Sequence, residues 1–122
     1  MAYDVEFTDE FREWFEIDLT SKEQDSVTLV VDMLEAAGPL LKFPYSSGIQ
    51  GSEFSHMREL RIQHEGRPYR VLYAFDPRRS ALLLLGGDKT GDDRWYETNV
   101  PVADRLFERH LRTIEKERTE HG

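Results

Sequence analysis

Cysteine is absent from the 122 residues, which excludes a disulfide, a thiol nucleophile and a thiolate zinc site, and fits a reducing compartment. No apolar run approaches the roughly 18 residues that a membrane-spanning helix needs, and the opening MAYDVEF does not read as a signal peptide. A soluble, cytoplasmic protein is expected. Histidine is scarce, at four residues. His56 and His64 differ by eight and would share a face of an unbroken strand, but no carboxylate stands at a ligand-like spacing, so no metal is expected. Gly86-Gly87-Asp88-Lys89-Thr90 lacks the spacing of a Walker A motif, so no nucleotide cofactor is expected either. Internal repeats and low-complexity tracts are also missing.

What is present suits one domain. Apolar residues make up 39% of the chain, enough for a single core, which we place in residues 1–116, leaving 117–122 as a charged, frayed tail. The net charge of −8 is unevenly spread. Residues 1–37 hold eleven acids against Arg12 and Lys22, residues 38–100 hold nine bases against eight acids, and residues 101–122 hold five of each. The middle of the chain is therefore the part where bases outnumber acids, and an anionic partner would meet it there.

Local patterns predict the elements. Tyr3 to Phe7 alternates apolar residues with acids, as a short strand does. Thr8 can cap a helix that begins near Asp9 and lines Phe11, Trp14 and Phe15 on one side. Ser21-Lys22-Glu23-Gln24 has the form of a capping box for a second helix, with Val27, Val30, Val31 and Leu34 at helical spacing and Gly38-Pro39 as its stop. From Leu40 to His56 no period holds, which marks a loop of a length usually functional or mobile. A last helix is expected from Asn99–Pro101, with a stripe of Ala103, Leu106, Phe107, Leu111 and Ile114.

Between Met57 and Gly87 lie three strand-like runs, MRELRIQ, PYRVLYAFD and ALLLLGG, joined by short turns at Gly66 and Pro77. Such short connections make an antiparallel meander. With side chains alternating, Leu60 and Ile62 share one face and leave Glu59, Arg61 and Gln63 on the other. Tyr69, Val71, Tyr73 and Phe75 likewise share a face, and Arg70 points away from it with Leu72 and Ala74. Arg61 and Arg70 then project from the same side of neighbouring strands. Segregated helices and strands argue for an α+β domain of order β-α-α-β-β-β-α, its antiparallel sheet packed by an N-terminal helix pair and a C-terminal helix.

Two arginines with Lys89 and Arg94 near the exit of the meander have the chemistry of phosphodiester recognition. Cleavage of RNA by its own 2′-hydroxyl needs a base, cations on the phosphorane and an acid for the leaving oxygen. Tyr96, His56, His64 and Asp93 are candidates for the proton transfers, and Trp95 and Tyr96 for stacking on bases, although Trp95 is better suited to seating the last helix. Arg67, Arg94, Trp95, His56 and His64 are the candidate substrate contacts. Against this stands the reading in which a strand arginine simply pairs with Glu59 or Glu65.

MRELRIQ, YRVLYAFD and GGDK, followed by an aromatic-rich segment and a helix, resemble the HigB-like, phage-derived Gp49-like branch of the RelE/ParE toxin superfamily. The resemblance implies a twisted sheet with a basic concave face and the toxin of a type II toxin–antitoxin pair. It further implies a ribosome-dependent endoribonuclease that cuts mRNA, silenced by a helix-turn-helix antitoxin. Carried over residue by residue, Arg61, Arg70, Lys89 and Tyr96 take the catalytic positions. The alternatives are a gyrase-type inhibitor or a degenerate antitoxin-binding module on the same fold.

Overall fold

The structure, a computed structural model, describes residues 2–121, with His121 described by its backbone alone. One five-stranded sheet forms its centre, in the order β1-β5-β4-β3-β2. The strands are β1 (Val5–Phe7), β2 (Ser46–Gly48), β3 (Arg58–His64), β4 (Arg67–Phe75) and β5 (Ala81–Asp88). The predicted antiparallel meander is β3 to β5, and β1 joins it parallel to β5 at one edge. Helices α1 (Asp9–Glu13) and α2 (Ser21–Ala37) cover one face, and α3 (Trp95–His121) covers much of the other.

Capping fixes where the first helices start. The Thr8 hydroxyl accepts from Phe11 N–H at 3.0 Å and donates to the Leu84 carbonyl at 2.7 Å, tying the start of α1 to β5. After α1 the chain passes through a π-helical turn, Trp14–Asp18, that its apolar spacing does not announce. The capping box of α2 lies one residue earlier than predicted. Thr20, not Ser21, is the cap, because Glu23 is then the third helical residue and its Oε1 reaches back to Thr20 N–H at 2.7 Å.

Two cores result. On the helix-pair face Phe11, Val27, Val30 and Leu34 pack on Leu60, Ile62, Tyr69, Val71 and Tyr73. On the other face Val100, Ala103, Leu106 and Phe107 of α3 pack on Leu72, Ala74, Leu82 and Leu84. Each Val, Leu, Ile or Phe among them, fully buried, stabilises the fold by about 1.5–3 kcal/mol. Pairing shifts between Leu72 opposite Leu85 and Tyr73 opposite Leu83, a bulge that turns both Leu84 and Leu85 toward α3. It lies outside the β3–β4 ladder, so the parity of Arg61 and Arg70 survives.

Three expectations are corrected here. The Leu40–His56 stretch contains the edge strand β2, and Asp104 of α3 pins it by accepting from Ser52 Oγ at 2.5 Å and Glu53 N–H at 2.9 Å. Helix α3 begins four residues before Asn99, with the Asn99 side-chain amide donating to the Trp95 carbonyl at 2.8 Å and Pro101 in its interior. It also continues through His121, past the Lys116 where a frayed tail was expected.

Candidate active site

β3 and β4 pair with Arg61 directly opposite Arg70, on the face that α3 shares. Like charges so placed repel, and the sheet tolerates them because Glu59, two residues before Arg61 and on the same face, inserts a carboxylate between them. Arg61 Nη1 donates to Glu59 Oε2 at 3.2 Å, and Arg70 Nε lies 3.4 Å from Oε1. β2 sets Ser47 opposite Glu59, and the Ser47 hydroxyl donates to Oε2 at 2.7 Å. From the first turn of α3 the Tyr96 hydroxyl donates to Oε1 at 2.5 Å. Lys89, just past β5, holds its ammonium 5.3 Å from the centre of the Tyr96 ring. Four strands or strand ends and one helix start thus converge on one carboxylate.

Burial sets the electrostatics of this cluster. Glu59 is 4% exposed and Arg70 5%, whereas the Arg61 side chain keeps 30% of its surface in solvent. Arg70 Nη1 donates to the Tyr69 carbonyl at 3.0 Å, while its buried Nε has no hydrogen-bond partner among the described residues. Burial, and then the hydrogen bond to Glu59, push the Tyr96 hydroxyl above its ordinary range, with Arg70 working the other way. Tyr96 is therefore a neutral proton donor near pH 7, not a base.

Of the residues singled out from sequence, Arg61, Arg70, Lys89 and Tyr96 gather around Glu59. The others do not join them. Arg67 is on the helix-pair face, bound to Glu23 at 2.9 Å and 3.7 Å from Asp88. His64 faces α2, its Nδ1 2.7 Å from Ser26 Oγ. His56 precedes β3 instead of lying in it, and meets Phe54 and Phe107 edge-on, so the two histidines fall on opposite faces. Arg94 is exposed ahead of α3. Trp95 is 4% exposed and lies on Gly87, where an added Cβ would come within 2.6 Å of the indole nitrogen. That burial suits the seat of α3, with the remaining surface of Trp95 lining an open pocket beside Arg67, Asp88 and Asn99. Trp14 covers Gly86 from the opposite face in the same manner, so the glycine pair lies inside β5 between two indoles and is no phosphate loop.

Sequence reasoning placed Glu59 on the Arg61 face but gave it no role beyond a possible partner. Ser47 was missed because SSG carries no strand signal. Among the described residues no group of three or more His, Cys, Asp or Glu could hold a metal, and no helix is long and apolar enough to cross a membrane.

Fold and cluster together define a small α+β domain with a basic patch on one face of its sheet. The model of the phage-derived Gp49-like proteins matches residues 13–108, so the chain belongs to that family. Two relatives from Mycobacterium tuberculosis (strain ATCC 25618 / H37Rv) are toxins by name. HigB3 is 44% identical over 110 residues, 89% of either chain, and HigB2 is 36% identical over 99 residues, 80% of this chain and 49% of that protein. Among solved structures, the M. tuberculosis RelBE2 toxin–antitoxin complex superposes with a TM-score of 0.53 at 18% identity, covering 72% of this chain and 99% of the matched one. The E. coli DinJ–YafQ toxin–antitoxin complex gives 0.54 at 12% identity, with 76% and 99% covered. At such identities the likeness is one of fold.

Proposed function

We propose that the protein is the toxin of a type II toxin–antitoxin pair, a ribosome-dependent, metal-independent endoribonuclease that cuts mRNA and is held silent by a helix-turn-helix antitoxin. The observation that carries the reading is the pair of facing arginines with a carboxylate and a tyrosine hydroxyl between them, on the scaffold of a family whose relatives are named as toxins.

Each partial step has a residue. Glu59 takes the proton of the 2′-hydroxyl, whose oxygen attacks the adjacent phosphorus. Arg61 and Arg70 hold the negative charge that builds on the phosphorane, with Lys89 adding a cation at the rim. Tyr96 gives its proton to the departing 5′-oxygen, leaving a 2′,3′-cyclic phosphate. The 2.5 Å hydrogen bond then lets Glu59 return a proton to Tyr96, which restores both groups. Of the acids of residues 1–37, Glu6 and Glu10 are paired with Arg78 and Arg109, and Glu23 with Arg67, so the net charge of −8 overstates the repulsion that RNA would meet at the cluster.

One observation favours a second reading. Arg70 is buried and spends its charge on Glu59, which suits a structural ion pair in a non-catalytic, antitoxin-binding member of the fold. Primer extension on mRNA in purified translating ribosomes, with and without the protein, separates the two. Cuts inside codons at the ribosomal A site are expected. Intact mRNA, with translation undisturbed, overturns the nuclease and leaves the binding module.

A further inference from the structure

The residues first suited to stacking on RNA bases are not available for it. Trp95 is buried, and the Tyr96 hydroxyl is engaged by Glu59. Yet large aromatic surface does stand in solvent beside the site. Phe43 is 68% exposed and Tyr45 41%, and both flank Arg61. The Arg61 guanidinium carbon lies 5.1 Å from the centre of the Phe43 ring, a cation–π distance, and Arg61 N–H donates to the Tyr45 carbonyl at 2.8 Å. Pro44, Tyr45 and Arg61 also line a shallow groove of about 270 Å³ that runs between this sheet edge and Leu29 and Val30 of α2.

The backbone under these rings is fixed. Tyr45 N–H and Ser46 N–H both donate to the Lys42 carbonyl, at 3.0 and 3.1 Å, and the next residues are β2 itself. Exposed aromatic faces on a tied backbone are pre-organised, so stacking on them costs little ordering. Single exposed apolar residues are ordinary, but here two aromatic rings adjoin the most accessible arginine of the phosphate site. An apolar protein partner would have to desolvate that guanidinium, whereas a nucleotide strand supplies a base for the ring and a phosphate for the charge.

We propose that Phe43 and Tyr45 form a stacking platform for unpaired mRNA bases next to the scissile phosphate, with Arg61 bridging platform and phosphate. This rests on the ribonuclease reading and adds to it the surface that holds the strand. Stacking contributes to binding alike in ground and transition states, so its loss should appear in KM. For the full-length double variant Phe43→Ala/Tyr45→Ala, acting on mRNA bound to purified ribosomes, kcat/KM should fall about 10- to 100-fold, mostly through KM. The melting temperature should stay within about 2 °C of wild type, because exposed rings contribute little to the fold. Phe43→Trp should retain wild-type kinetics. A double variant that cuts like wild type overturns the platform while the nuclease stands. Weaker antitoxin binding with unchanged cleavage also overturns it and makes the patch a protein-docking face. A wild type that does not cut at all overturns the nuclease reading first, and the platform with it.

Discussion

The two faces of the sheet carry the same trio of side chains, a carboxylate between a tyrosine hydroxyl and an arginine. On the helix-pair face these are Glu23, Tyr69 and Arg67, and on the α3 face Glu59, Tyr96 and Arg70. Their commitments differ. Glu23 also accepts from Thr20 N–H, so its carboxylate closes the capping box of α2 and is consumed by the backbone. The Thr20 N–H and then the Tyr69 hydroxyl hold its pKa down at about 2 against burial, with a smaller part from Arg67. The hydrogen-bond donors that reach Glu59 are side chains: Ser47, Arg61 and Tyr96. A carboxylate that no helix end depends on can exchange partners without unfolding anything. The first trio is thus an anchor and the second the candidate site.

The largest expected effects separate the trios by readout. Arg70→Ala should lower ribosome-bound mRNA cleavage by ~10² to 10³ while the protein stays folded, as removal of one preorganised donor does. Tyr96→Phe should produce a loss of similar size by withdrawing the proton donor. Arg67→Ala on the other face should leave cleavage at the wild-type rate. If Arg67→Ala and Arg70→Ala impair cleavage equally, the distinction between anchor and site collapses.

Trp95 tests what the site stands on. Its truncation to alanine empties space between Gly87 and α3 and should cost roughly 3–5 kcal/mol, read as a lowered denaturation midpoint. A variant of unchanged stability that loses RNA binding would return Trp95 to the list of substrate contacts.

The arginine pair was legible because nothing irregular interrupts β3 or β4 between Arg58 and Tyr73, so period-two counting held across both strands. Counting failed for His56 because it assumed the strand extended past Arg58. The start of α3 was hidden by Pro101, which suggests a first turn but sits in the interior, where Asn99 and Trp95 bind each other upstream of it. Glycine composition read as a loop exit at Gly86-Gly87, since only the folded chain brings Trp14 and Trp95, 81 residues apart, onto the two faces of one strand. The order of elements followed from local pattern, whereas the convergence of Ser47, Glu59 and Tyr96 needed the long-range pairing of β2 with β3 and the seating of α3.

Acid titration is a milder test. Because the folded pKa of Glu23 is about 2 against an ordinary 4.5, its contribution is fully present above about pH 4.5 and drains away as pH falls toward 2. Glu23→Gln should therefore lower the melting temperature at pH 7 and flatten its decline over that window. A decline as steep as that of wild type would mean that other carboxylates drive acid unfolding.

The smallest effect is expected from Tyr69→Phe. Its ring, 1% exposed, keeps its contacts with Trp14 and His64, so no cavity forms, and only the hydroxyl that donates to Glu23 is lost. Glu23 still accepts from Arg67 and from Thr20 N–H and is not left unpaired, which limits the cost to one hydrogen bond. The melting temperature at neutral pH should drop by about 3 to 6 °C, with cleavage unchanged. Burial, and then Glu23, push the Tyr69 hydroxyl up to about 12 from 10. The folded state thus favours the protonated ring, and its contribution is whole below pH 10 and is lost as pH rises through 12. Phenylalanine cannot ionise, so the variant should lose less stability than wild type between pH 10 and 12. Melting curves over that range measure both quantities at once, and a Tyr69→Phe protein that melts like wild type at pH 7 yet cuts mRNA poorly would make Tyr69 a part of the site instead of its anchor.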